Sequence, residues 1–500
     1  MAVLGKWTGG ATSNNIPTTT WDVPPIDIFP SQVRNDGSVY SLSSHVLTLP
    51  SANLADGYLI VAAYEHEGTH NNRHNPQGRF SYSGSGNHVG GYSSGYMRDN
   101  SEDRAYCRAW GFVDNPSASD TFTFQWRRDA NGPAATNGTV RASLQIIPLF
   151  YSGVGIYNST SSSCPGGTTP NQVVAFSGTD AANINIDSNV VTLSGDNKKY
   201  LCFGGYYWQN IGSARTQRWG GFRIDGVKDD SSKGYSYARN SSNADIGEIF
   251  STIIETETAN KTLDMFVYRG DGAANLQGGA NSDGNTNGSN ANHSIVVLEL
   301  NDTAEVFYSK TDGNSFNLAQ AGPVNIDISP TSEFNGDSGS FARASNGGVN
   351  AQVAMDVLLG ADVSAASNNV GTGQRWTAFS EFTINGAEQS ESFAGDYLRN
   401  NQGSQDTFGW SANLLSTLGV SINEDLGVSV TELPGTEGGG GAVVSPSGWT
   451  GFWGVNLDSL QSISSPSTRK IKVGASEVAK IFLGSNEVSK AYLGSNLIFE

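Results

Sequence analysis

Apolar residues along this chain occur in short runs that alternate with polar residues, and most runs end at glycine or asparagine. Residues 46–49, 58–61 and 190–193 show the pattern clearly. Alternation with a period of two, broken by turn residues, predicts β-strands. No long stretch places apolar residues at helical spacing or in heptads. The pattern therefore predicts an all-β protein, and the 61 glycines and 10% aromatic residues agree with strands joined by turns.

The same order of features appears three times along the chain. In each copy an aromatic, alternating segment ends at a glycine, at residues 80–84, 222–226 and 382–386. An arginine follows the phenylalanine by 17 or 18 residues, and an acidic residue opens a strand 22 to 26 residues further on. The signature residues are Tyr96, Arg98 and Asp120 in the first copy, Tyr237, Arg239 and Asp264 in the second, and Tyr397, Arg399 and Asp425 in the third. Recurrence at near-constant spacing predicts three divergent copies of one module.

Two interpretations of the Tyr-x-Arg signature follow from strand geometry. Residues two apart point to the same face of a strand, so the ring and the guanidinium would be neighbours. They could stack on each other or pair with the acidic strand. The first interpretation is an interaction that holds each module together, repeated because the fold is repeated. The second is a repeated contact between subunits or with a glycan.

The copies suggest a modular chain. We expect β-sandwich modules at residues 41–152, 171–309 and 322–458, joined by polar linkers, with an extended N-terminal arm at residues 1–40 and repeats at residues 469–500. Short strands with frequent turns are typical of antiparallel sandwiches and jelly rolls. The order of a glycine-turn hairpin, a Tyr-x-Arg strand, an Asp-led strand and a final apolar strand also resembles the tumour-necrosis-factor-like jelly rolls of phage fibre tips. That resemblance implies a three-fold assembly, because such heads usually form trimers.

The last residues of the chain repeat with a period of ten. The in-phase positions are Gly474, Gly484 and Gly494, and Val478, Val488 and Ile498. Each unit predicts short alternating strands broken by a Gly-Ser or Gly-Ala turn. This tail resembles the "LGS-E-V-K" endings of many tailed-phage virion proteins, including fibre and decoration proteins. The resemblance implies a structural protein of a virus particle, whose repeats would add strands to a partner sheet or to sister chains.

Charge and targeting signals narrow the class of partner. The formal net charge of −18 opposes binding to phosphate backbones, so we expect no nucleic-acid partner. Cys107, Cys164 and Cys202 are too few and too widely spaced for a disulfide framework. The N-terminus does not resemble a signal peptide, and no apolar run is long enough to predict a membrane span. We therefore expect synthesis in a host cytoplasm and delivery to a virion by assembly.

One motif carries a candidate metal chemistry. The sequence from His66 to His70 matches the H-E-x-x-H pattern of zinc proteases, and His74 follows it. That chemistry needs a helix, so that both imidazoles face one metal. Residues 57–64 instead predict a strand, and Gly68 disfavours a helix. We expect no cofactor and no metal site, and we interpret His66, His70 and His74 as parts of a solvated loop that could at most trap a metal incidentally.

The favoured hypothesis is a non-enzymatic virion protein, an outer appendage or decoration protein of a phage capsid of the head-fibre or knob type. It would bind other capsid or tail proteins and form a homo-oligomer, with a trimer implied by the resemblance. The alternative is a tail fibre or receptor-binding adhesin, in which exposed aromatic rings stack on host glycans. The candidate rings are those of Tyr206, Tyr207, Trp208, Trp219 and Trp376, for which core positions are the competing interpretation. An enzyme such as a depolymerase has no support from particular residues.

Overall fold

The computed structural model describes most of the chain in separate ranges. They are residues 4–14, 21–51, 54–67, 75–96, 104–128, 137–159, 171–210, 216–238, 244–269, 276–277, 293–314, 324–325, 333–336, 339–344, 348–367, 375–399, 408–432, 447–460, 472–473, 476–477, 481–483, 486–488, 491–493 and 496–499. The chain forms two compact units, residues 1–460 and residues 461–500.

Module 1 spans residues 4–149 and consists of two antiparallel sheets. Its strands are β1 (Gly5–Asn14), β2 (Ser31–Asn35), β3 (Ser41–Ser43), β4 (Val46–Thr48), β5 (Gly57–Glu67), β6 (Pro76–Ser83), β7 (Asn87–Ser93), β8 (Arg104–Asp114), β9 (Thr121–Arg128) and β10 (Asn137–Leu149), with a 3-10 turn at Asp36–Ser38. The sheet that holds the first and last strands, here called the inner sheet, has the order β2-β1-β10-β5-β8-β7. The other, the outer sheet, has the order β3-β4-β9-β6.

Module 2 spans residues 153–300 and repeats this plan. Its strands are β11 (Gly153–Ser159), β12 (Asn171–Gln172), β13 (Phe176–Thr179), β14 (Ile184–Asp187), β15 (Val190–Leu193), β16 (Lys199–Asn210), β17 (Thr216–Ile224), β18 (Val227–Ala238), β19 (Ala244–Glu255), β20 (Lys261–Arg269), β21 (Leu276–Gln277) and β22 (His293–Glu299). The inner sheet has the order β13-β11-β22-β16-β19 and the outer sheet the order β14-β15-β20-β17-β18. The short strands β12 and β21 pair with β20 and β16.

Module 3 spans residues 304–460. Its elements are β23 (Val306–Asn314), β24 (Val324–Asn325), β25 (Glu333–Asn335), β26 (Phe341–Arg343), β27 (Val349–Ala351), β28 (Met355–Ser367), β29 (Arg375–Ile384), β30 (Ala387–Arg399), β31 (Phe408–Val420), β32 (Asp425–Glu432), β33 (Ser447–Asn456) and the one-turn helix α1 (Leu457–Leu460). The orders β25-β23-β33-β28-β31 and β26-β27-β32-β29-β30 match those of module 2. The prediction of three tandem antiparallel jelly-roll sandwiches is therefore confirmed. Module 1 differs in one respect, because β7 pairs with β8 instead of β6.

The expected module limits need correction. Residues 1–40 were expected to form an extended arm, but β1 pairs with β10 in the inner sheet of module 1, and Trp7, Ile28 and Phe29 are buried in its core. The expected linkers also contain first strands, since β11 pairs with β22 and β23 pairs with β33. The arm was expected from the isolated Trp7 and Trp21 and from the Pro24-Pro25 pair. The place of residues 5–14 beside the last strand depends on pairing with residues more than a hundred positions away, which local pattern does not reveal.

The glycine turns lie where the sequence predicts them. Asp225 and Gly226 have φ of 52° and 75°, and Asn385 and Gly386 have φ of 51° and 78°. Two consecutive positive φ values are the requirement of a two-residue hairpin turn whose twist matches the strands, and Asp-Gly and Asn-Gly supply it with little strain. These turns fix the register of β17 with β18 and of β29 with β30.

Each inner sheet is buried on both faces. One face packs on the outer sheet of its own module to form a separate sandwich core in each module. The other face contributes to a core shared by all three modules, here called the axial core, in which equivalent residues occur in sets of three. These sets are Leu59, Leu201 and Leu358; Ile147, Leu298 and Val455; and Leu149, Leu300 and Leu457. Burial on both faces explains why β5 reads as a nearly continuous apolar run instead of a strict alternation.

The second unit consists of hairpins. The described strands pair as β34 (Lys472–Val473) with β35 (Ser476–Glu477), β36 (Ile481–Leu483) with β37 (Asn486–Val488), and β38 (Ala491–Leu493) with β39 (Asn496–Phe499). Each ten-residue unit thus gives one hairpin, as the repeat predicted. Val488 lies in β37 opposite Ile481, and Ile498 lies in β39. Gly474, Gly484, Gly494 and Val478 lie outside the described residues.

Candidate functional site: the interfaces of a three-module ring

The three modules contact one another in a cyclic order. Strand β7 of module 1 meets β19 of module 2, β18 of module 2 meets β31 of module 3, and β30 of module 3 meets β8 of module 1. Each interface uses the same position of the inner sheet. Tyr106 of module 1, Gly247 of module 2 and Ser411 of module 3 occupy this register position. Modules that join head to tail in this way and return to the first one form a closed ring with approximate three-fold symmetry.

Each interface has a contact at this register position, a hydrogen bond in two interfaces and ring stacking in the third. Ser94 N donates to Gly247 O at 3.2 Å in the 1–2 interface. Tyr235 N donates to Ser411 Oγ at 2.8 Å in the 2–3 interface. In the 3–1 interface the Tyr106 ring stacks on Phe379, with 5.6 Å between ring centroids. A three-fold arrangement, which the jelly-roll resemblance implied for separate chains, is thus present within one chain.

The Tyr-x-Arg signature contributes to these interfaces. The rings of Tyr96 and Tyr237, from modules 1 and 2, pack edge to face with centroids 5.0 Å apart, and both residues are buried. This contact lies within one chain, and both interpretations of the signature stay predictions. Arg98 and Arg239 lie outside the described residues, as do the side chains of Tyr397 and Arg399.

The acidic signature residues make contacts within their own modules. Asp120 accepts hydrogen bonds from the Tyr82 hydroxyl and from Ser117 N. Asp264 forms a bidentate ion pair with Arg223, at 2.6 and 2.8 Å. Asp425 N donates to Asn385 Oδ1 at 3.0 Å, which supports the neighbouring hairpin turn. These contacts of Asp120 and Asp264 lie within their own modules. Pairing of the acidic strand with Arg98 or Arg239 stays a prediction, because both arginines lie outside the described residues.

Ion pairs hold the interface between modules 3 and 1, which no direct chain connection joins. Arg34 binds both carboxylate oxygens of Asp356, at 2.5 and 2.7 Å. Lys6 Nζ lies 2.7 Å from Glu391 Oε1. Burial alone would raise the pKa of Glu391, but the Lys6 ammonium holds it below its ordinary value. Arg141 bonds to both Glu65 and Glu381, and its guanidinium lies 4.2 Å from the centroid of the Phe393 ring.

All three modules also meet at a buried polar cluster, here called the axial cluster. Its members are Arg108 of module 1, Glu248 and Ser251 of module 2, and Asp362 and Asn413 of module 3. Arg108 Nη2 donates to Asn413 Oδ1 at 3.3 Å and lies 3.7 Å from Glu248 Oε2. Asp362 accepts from Asn413 Nδ2 at 2.7 Å and from Ser251 N at 2.8 Å.

Burial controls the protonation of this cluster. It raises the pKa of Glu248 and of Asp362 well above their ordinary values and lowers the pKa of Arg108. The hydrogen bonds and the neighbouring opposite charges offset part of this cost. Sequence analysis missed the cluster, although a charged residue inside an apolar run, such as Asp362 in residues 357–363, is a usable signal for a buried polar contact.

An open cleft lies in the 1–2 interface. It has a volume of about 460 Å³ and lies between the connection of β6 to β7 and the strands β11 and β13. Asn158 is among its lining residues, at the position that Lys310 occupies in module 3, where Lys310 Nζ lies 3.4 Å from Asp229 Oδ2 in the 2–3 interface. His88 also lines the cleft, but its ring packs beside Tyr82 and Phe122 and its Nε2 lies against Gly111 inside module 1. Burial lowers the pKa of His88 to about 4, so its ring is neutral at neutral pH.

The histidine motif does not form a zinc site in the described part of the chain. His66 lies in strand β5, opposite Ala105, and is fully buried, so the expected solvated loop is wrong for this residue. His70 and His74 lie outside the described residues. No group of three His, Cys, Asp or Glu side chains that could hold a metal is present among the described residues. Cys107 and Cys202 are buried free thiols.

Two of the five proposed sugar-stacking aromatics are interior. Tyr206 and Trp219 are each 2% exposed and belong to buried packing. Tyr207 is half-buried, and its hydroxyl lies 3.4 Å from Arg127 Nη2 across the 1–2 interface. The side chains of Trp208 and Trp376 lie outside the described residues. The core interpretation is therefore correct for Tyr206 and Trp219.

The two ends of the ring differ. The connections between modules and the exit of the chain lie together at one end, here called the junction end. Ser152 Oγ donates to Asn301 Oδ1 at 2.8 Å, and Asn301 Nδ2 donates to Leu460 O at 2.8 Å. Leu149, Leu300 and Leu457, next to these connections, lie in the axial core. Leu460, the last described residue of the ring, also lies in the axial core.

Comparisons with known proteins give only distant likeness. The chain matches no protein-family model and no curated protein sequence. Among solved structures it is similar to PNGF-II in two crystal forms, at 8% and 6% identity, over 64% of this chain and 74% and 73% of that one, with TM-scores of 0.20 and 0.22. It is also similar to the structure of Sulfolobus Turreted Icosahedral Virus, at 9% identity over 88% of this chain and 91% of that one, with a TM-score of 0.17. These scores are too low to carry an argument about fold or function.

No helix in the described ranges has the length and apolar character that crossing a membrane requires.

Proposed function

We propose that this chain is a non-enzymatic structural protein of a tailed-phage virion, an outer appendage or decoration protein of the capsid of the head-fibre or knob type. It is made in the host cytoplasm and joins the particle by protein–protein binding. The observation that carries the proposal is the closed ring followed by hairpin repeats that resemble the ends of phage virion proteins. A ring whose interior is filled by packing and ion pairs is suited to a rigid, exposed knob.

The ring also bears on the expected homo-oligomer. The inner-sheet faces that would form a trimer of separate jelly rolls are covered by the other modules of the same chain. We therefore propose that one chain is the functional knob, and that binding to the particle involves the C-terminal hairpins. Short strands with unpaired edges can extend a partner sheet.

A tail fibre or receptor-binding adhesin that recognises host glycans is the second candidate. The uncharged polar cleft between modules 1 and 2 favours it, because such a cleft suits a hydroxyl-bearing ligand better than a protein surface.

Immunogold electron microscopy of the phage that encodes the chain tests the proposal. Antibodies raised against the purified chain should label the heads of purified particles and also tail-free heads. Label confined to the tail would favour the adhesin, and purified particles without any label would overturn the virion assignment. Particles from a mutant with an early stop codon in the gene provide the control for antibody specificity.

A further inference from the structure

The axial cluster contains more acidic than basic groups. Arg108 is opposed by Glu248 and Asp362, and all three side chains are buried. Asp396, also buried, adds negative charge near Arg108 and Glu248. The Cys107 thiol stays neutral, because burial raises its pKa to about 12. If all three carboxyl groups were ionised, the cluster would hold an uncompensated negative charge that the interior cannot solvate.

The lysines of the neighbouring 2–3 interface do not supply the missing positive charge, because they are already paired. Strand β18 packs beside β19, the strand that carries Glu248. Lys233 of β18 lies 2.5 Å from Asp230 Oδ1. Lys310 lies 3.4 Å from Asp229 Oδ2. Each ammonium group thus has a carboxylate of its own outside the axial cluster.

Hydrogen bonds favour the ionised form of Asp362 over that of Glu248. The Asp362 carboxyl accepts from Asn413 Nδ2 at 2.7 Å and from the backbone N–H of Ser251 at 2.8 Å. Arg108 Nη2 donates to Asn413 Oδ1 at 3.3 Å, so the amide of Asn413 joins the guanidinium to Asp362. Donors that point at a carboxyl group favour its charged form. Of the two acids, Asp362 is therefore the one whose negative charge is better stabilised.

Glu248 has less support for a negative charge. Its Oε2 atom accepts no hydrogen bond from the described residues. It lies 3.7 Å from Arg108 Nη2, which is too far for a hydrogen bond. Arg108 Nε and Nη1 also have no hydrogen-bond partner in the described part of the chain. The backbone N–H of Ile249 is the favourable neighbour on its own strand. A proton on Glu248 thus removes the charge that the cluster stabilises least.

We propose that the axial cluster is a proton-binding site that locks the ring: Glu248 is protonated in the closed ring, and loss of this proton as the pH rises weakens the contact between the three modules. The site exists only when the ring is closed, because Arg108, Glu248 and Asp362 come from different modules. The proton lowers the negative charge of the cluster and gives Glu248 an O–H donor.

The pH dependence of this lock has a definite sign. Burial raises the pKa of Glu248 well above its ordinary value of 4.5, so the folded chain holds the proton more tightly than the unfolded chain does. The stabilising contribution is complete below the unfolded pKa and decreases as the pH rises towards the folded pKa. Glu391 behaves in the opposite way, because its folded pKa is lowered.

Infrared spectroscopy of the purified full-length chain at about pH 7 tests whether the proton is present. The spectrum should contain the carbonyl stretch of a protonated carboxyl group. The band should shift when the glutamate side chains carry a ¹³C-labelled carboxyl group, and it should lose intensity in Glu248→Gln but not in Glu391→Gln. A band that does not shift with the glutamate label, or that Glu248→Gln leaves intact, would overturn the proposal.

Urea denaturation between about pH 5 and pH 8 tests the lock itself. Glutamine resembles the protonated acid and cannot ionise, so Glu248→Gln should keep the ring stable. The ratio of the unfolding equilibrium constant of the original chain to that of Glu248→Gln should rise by up to about tenfold for each pH unit in this range.

Glu391→Gln is the matched control for the pH series. It makes the same chemical change at a carboxylate whose folded pKa is lowered, so its ratio to the original chain should stay constant above about pH 6. The proposal is wrong if the Glu248→Gln ratio is also constant with pH. It is equally wrong if Glu248→Gln does not fold, because that result would mean that the ring needs the charged carboxylate.

Discussion

Arg34 in module 1 donates two hydrogen bonds, of 2.5 and 2.7 Å, to the carboxylate of Asp356 in module 3. The two residues are 322 positions apart in the sequence. Asp356 is buried and Arg34 is partly exposed. Hydrogen bonding to Asp356 is the main reason that the pKa of Arg34 is raised. Modules 1 and 3 are not consecutive in the chain, so this pair helps to close the ring where no linker does.

A double-mutant cycle should measure this closure. We expect Arg34→Ala, Asp356→Ala and the double variant to give a coupling of about 1–3 kcal/mol in the free energy of unfolding, because the pair is bidentate and charge-assisted. Urea denaturation followed by tryptophan fluorescence provides the values. The matched control is the exposed pair Lys198–Asp302, at 2.9 Å, whose coupling should stay below about 1 kcal/mol. Equal couplings in both cycles would show that Arg34 and Asp356 do not hold the ring together.

Trp453 occupies space that a side chain at position 360 would need. A Cβ atom on Gly360 would lie 2.1 Å from the Trp453 indole, whose Nε1 donates to Ser251 Oγ at 3.1 Å in module 2. Gly360→Ala should therefore lower stability by about 1–3 kcal/mol, as overpacking does in a tightly packed core. Thermal unfolding provides the measurement, and Trp453→Leu should restore part of the loss in the double variant.

Gly419 is the control for this substitution. It lies in β31 of the same module, and the nearest atom to a Cβ there is 3.6 Å away. Gly419→Ala should change stability by no more than about 0.5 kcal/mol in either direction. If Gly360→Ala is as mild as Gly419→Ala, the indole does not fill the axial core in the way described.

The pair of Glu391 and Lys6 predicts an acid-sensitive interface. The folded pKa of Glu391 is lower than its ordinary value, because the Lys6 ammonium outweighs the effect of burial. A carboxylate with a lowered folded pKa contributes stability above its unfolded pKa, and that contribution disappears as the pH falls through the folded pKa. The stability difference between the original chain and Glu391→Gln should thus be constant above about pH 6 and fall towards zero near pH 3.

Urea midpoints recorded across this pH range, at constant ionic strength, provide the test. Glu257→Gln, which removes an exposed carboxylate from the connection between β19 and β20, is the control variant. A Glu391→Gln difference that grows as the pH falls would have the wrong sign and would reject the pair as a stabilising contact.

The closed ring predicts a monomer in solution. The faces of the inner sheets that would join separate chains are already buried in the axial core, so little apolar surface remains to drive a trimer. Light scattering coupled to size exclusion should give 52.8 kDa at every loading concentration. A particle of three times that mass would show that the chain assembles through a surface other than the inner sheets.

The local sequence pattern was sufficient to predict the three modules but not their packing into a ring. The turn at Asn385 and Gly386 and the strand that carries Tyr397 follow from short-range rules of alternation and turn chemistry. Tyr96 and Tyr237 were recognisable as equivalent, but their contact was not, since it depends on how whole modules pack. The sequence contained a clue in the continuous apolar run of β5, because a strand buried on both faces needs a second partner besides its own sandwich.

The first strand was harder to foresee for a different reason. Residues 5–14 contain Trp7 among glycines and threonines, which reads as irregular. Its pairing with β10 and β2 places Trp7 in the core, while Gly9 allows Pro30 to approach closely. Pairing between the ends of a module is a long-range event, and single-sequence pattern carries little information about it.

Removal of the C-terminal hairpins should separate folding from assembly. Residues 461–500 form a compact unit of their own, and the ring ends at Leu460, whose carbonyl is bound by Asn301. A stop codon after Leu460 should therefore leave the free energy of unfolding of the ring, measured by urea denaturation, unchanged within about 0.5 kcal/mol. If the hairpins dock on a partner sheet as proposed, the same truncation should abolish incorporation into particles, measured by immunoblotting of purified virions.

Replacing Val488 and Ile498 by serine in the full-length chain should also abolish incorporation, without shortening the chain. Normal incorporation of both variants would mean that the ring itself, and not the repeat tail, attaches the protein to its neighbours.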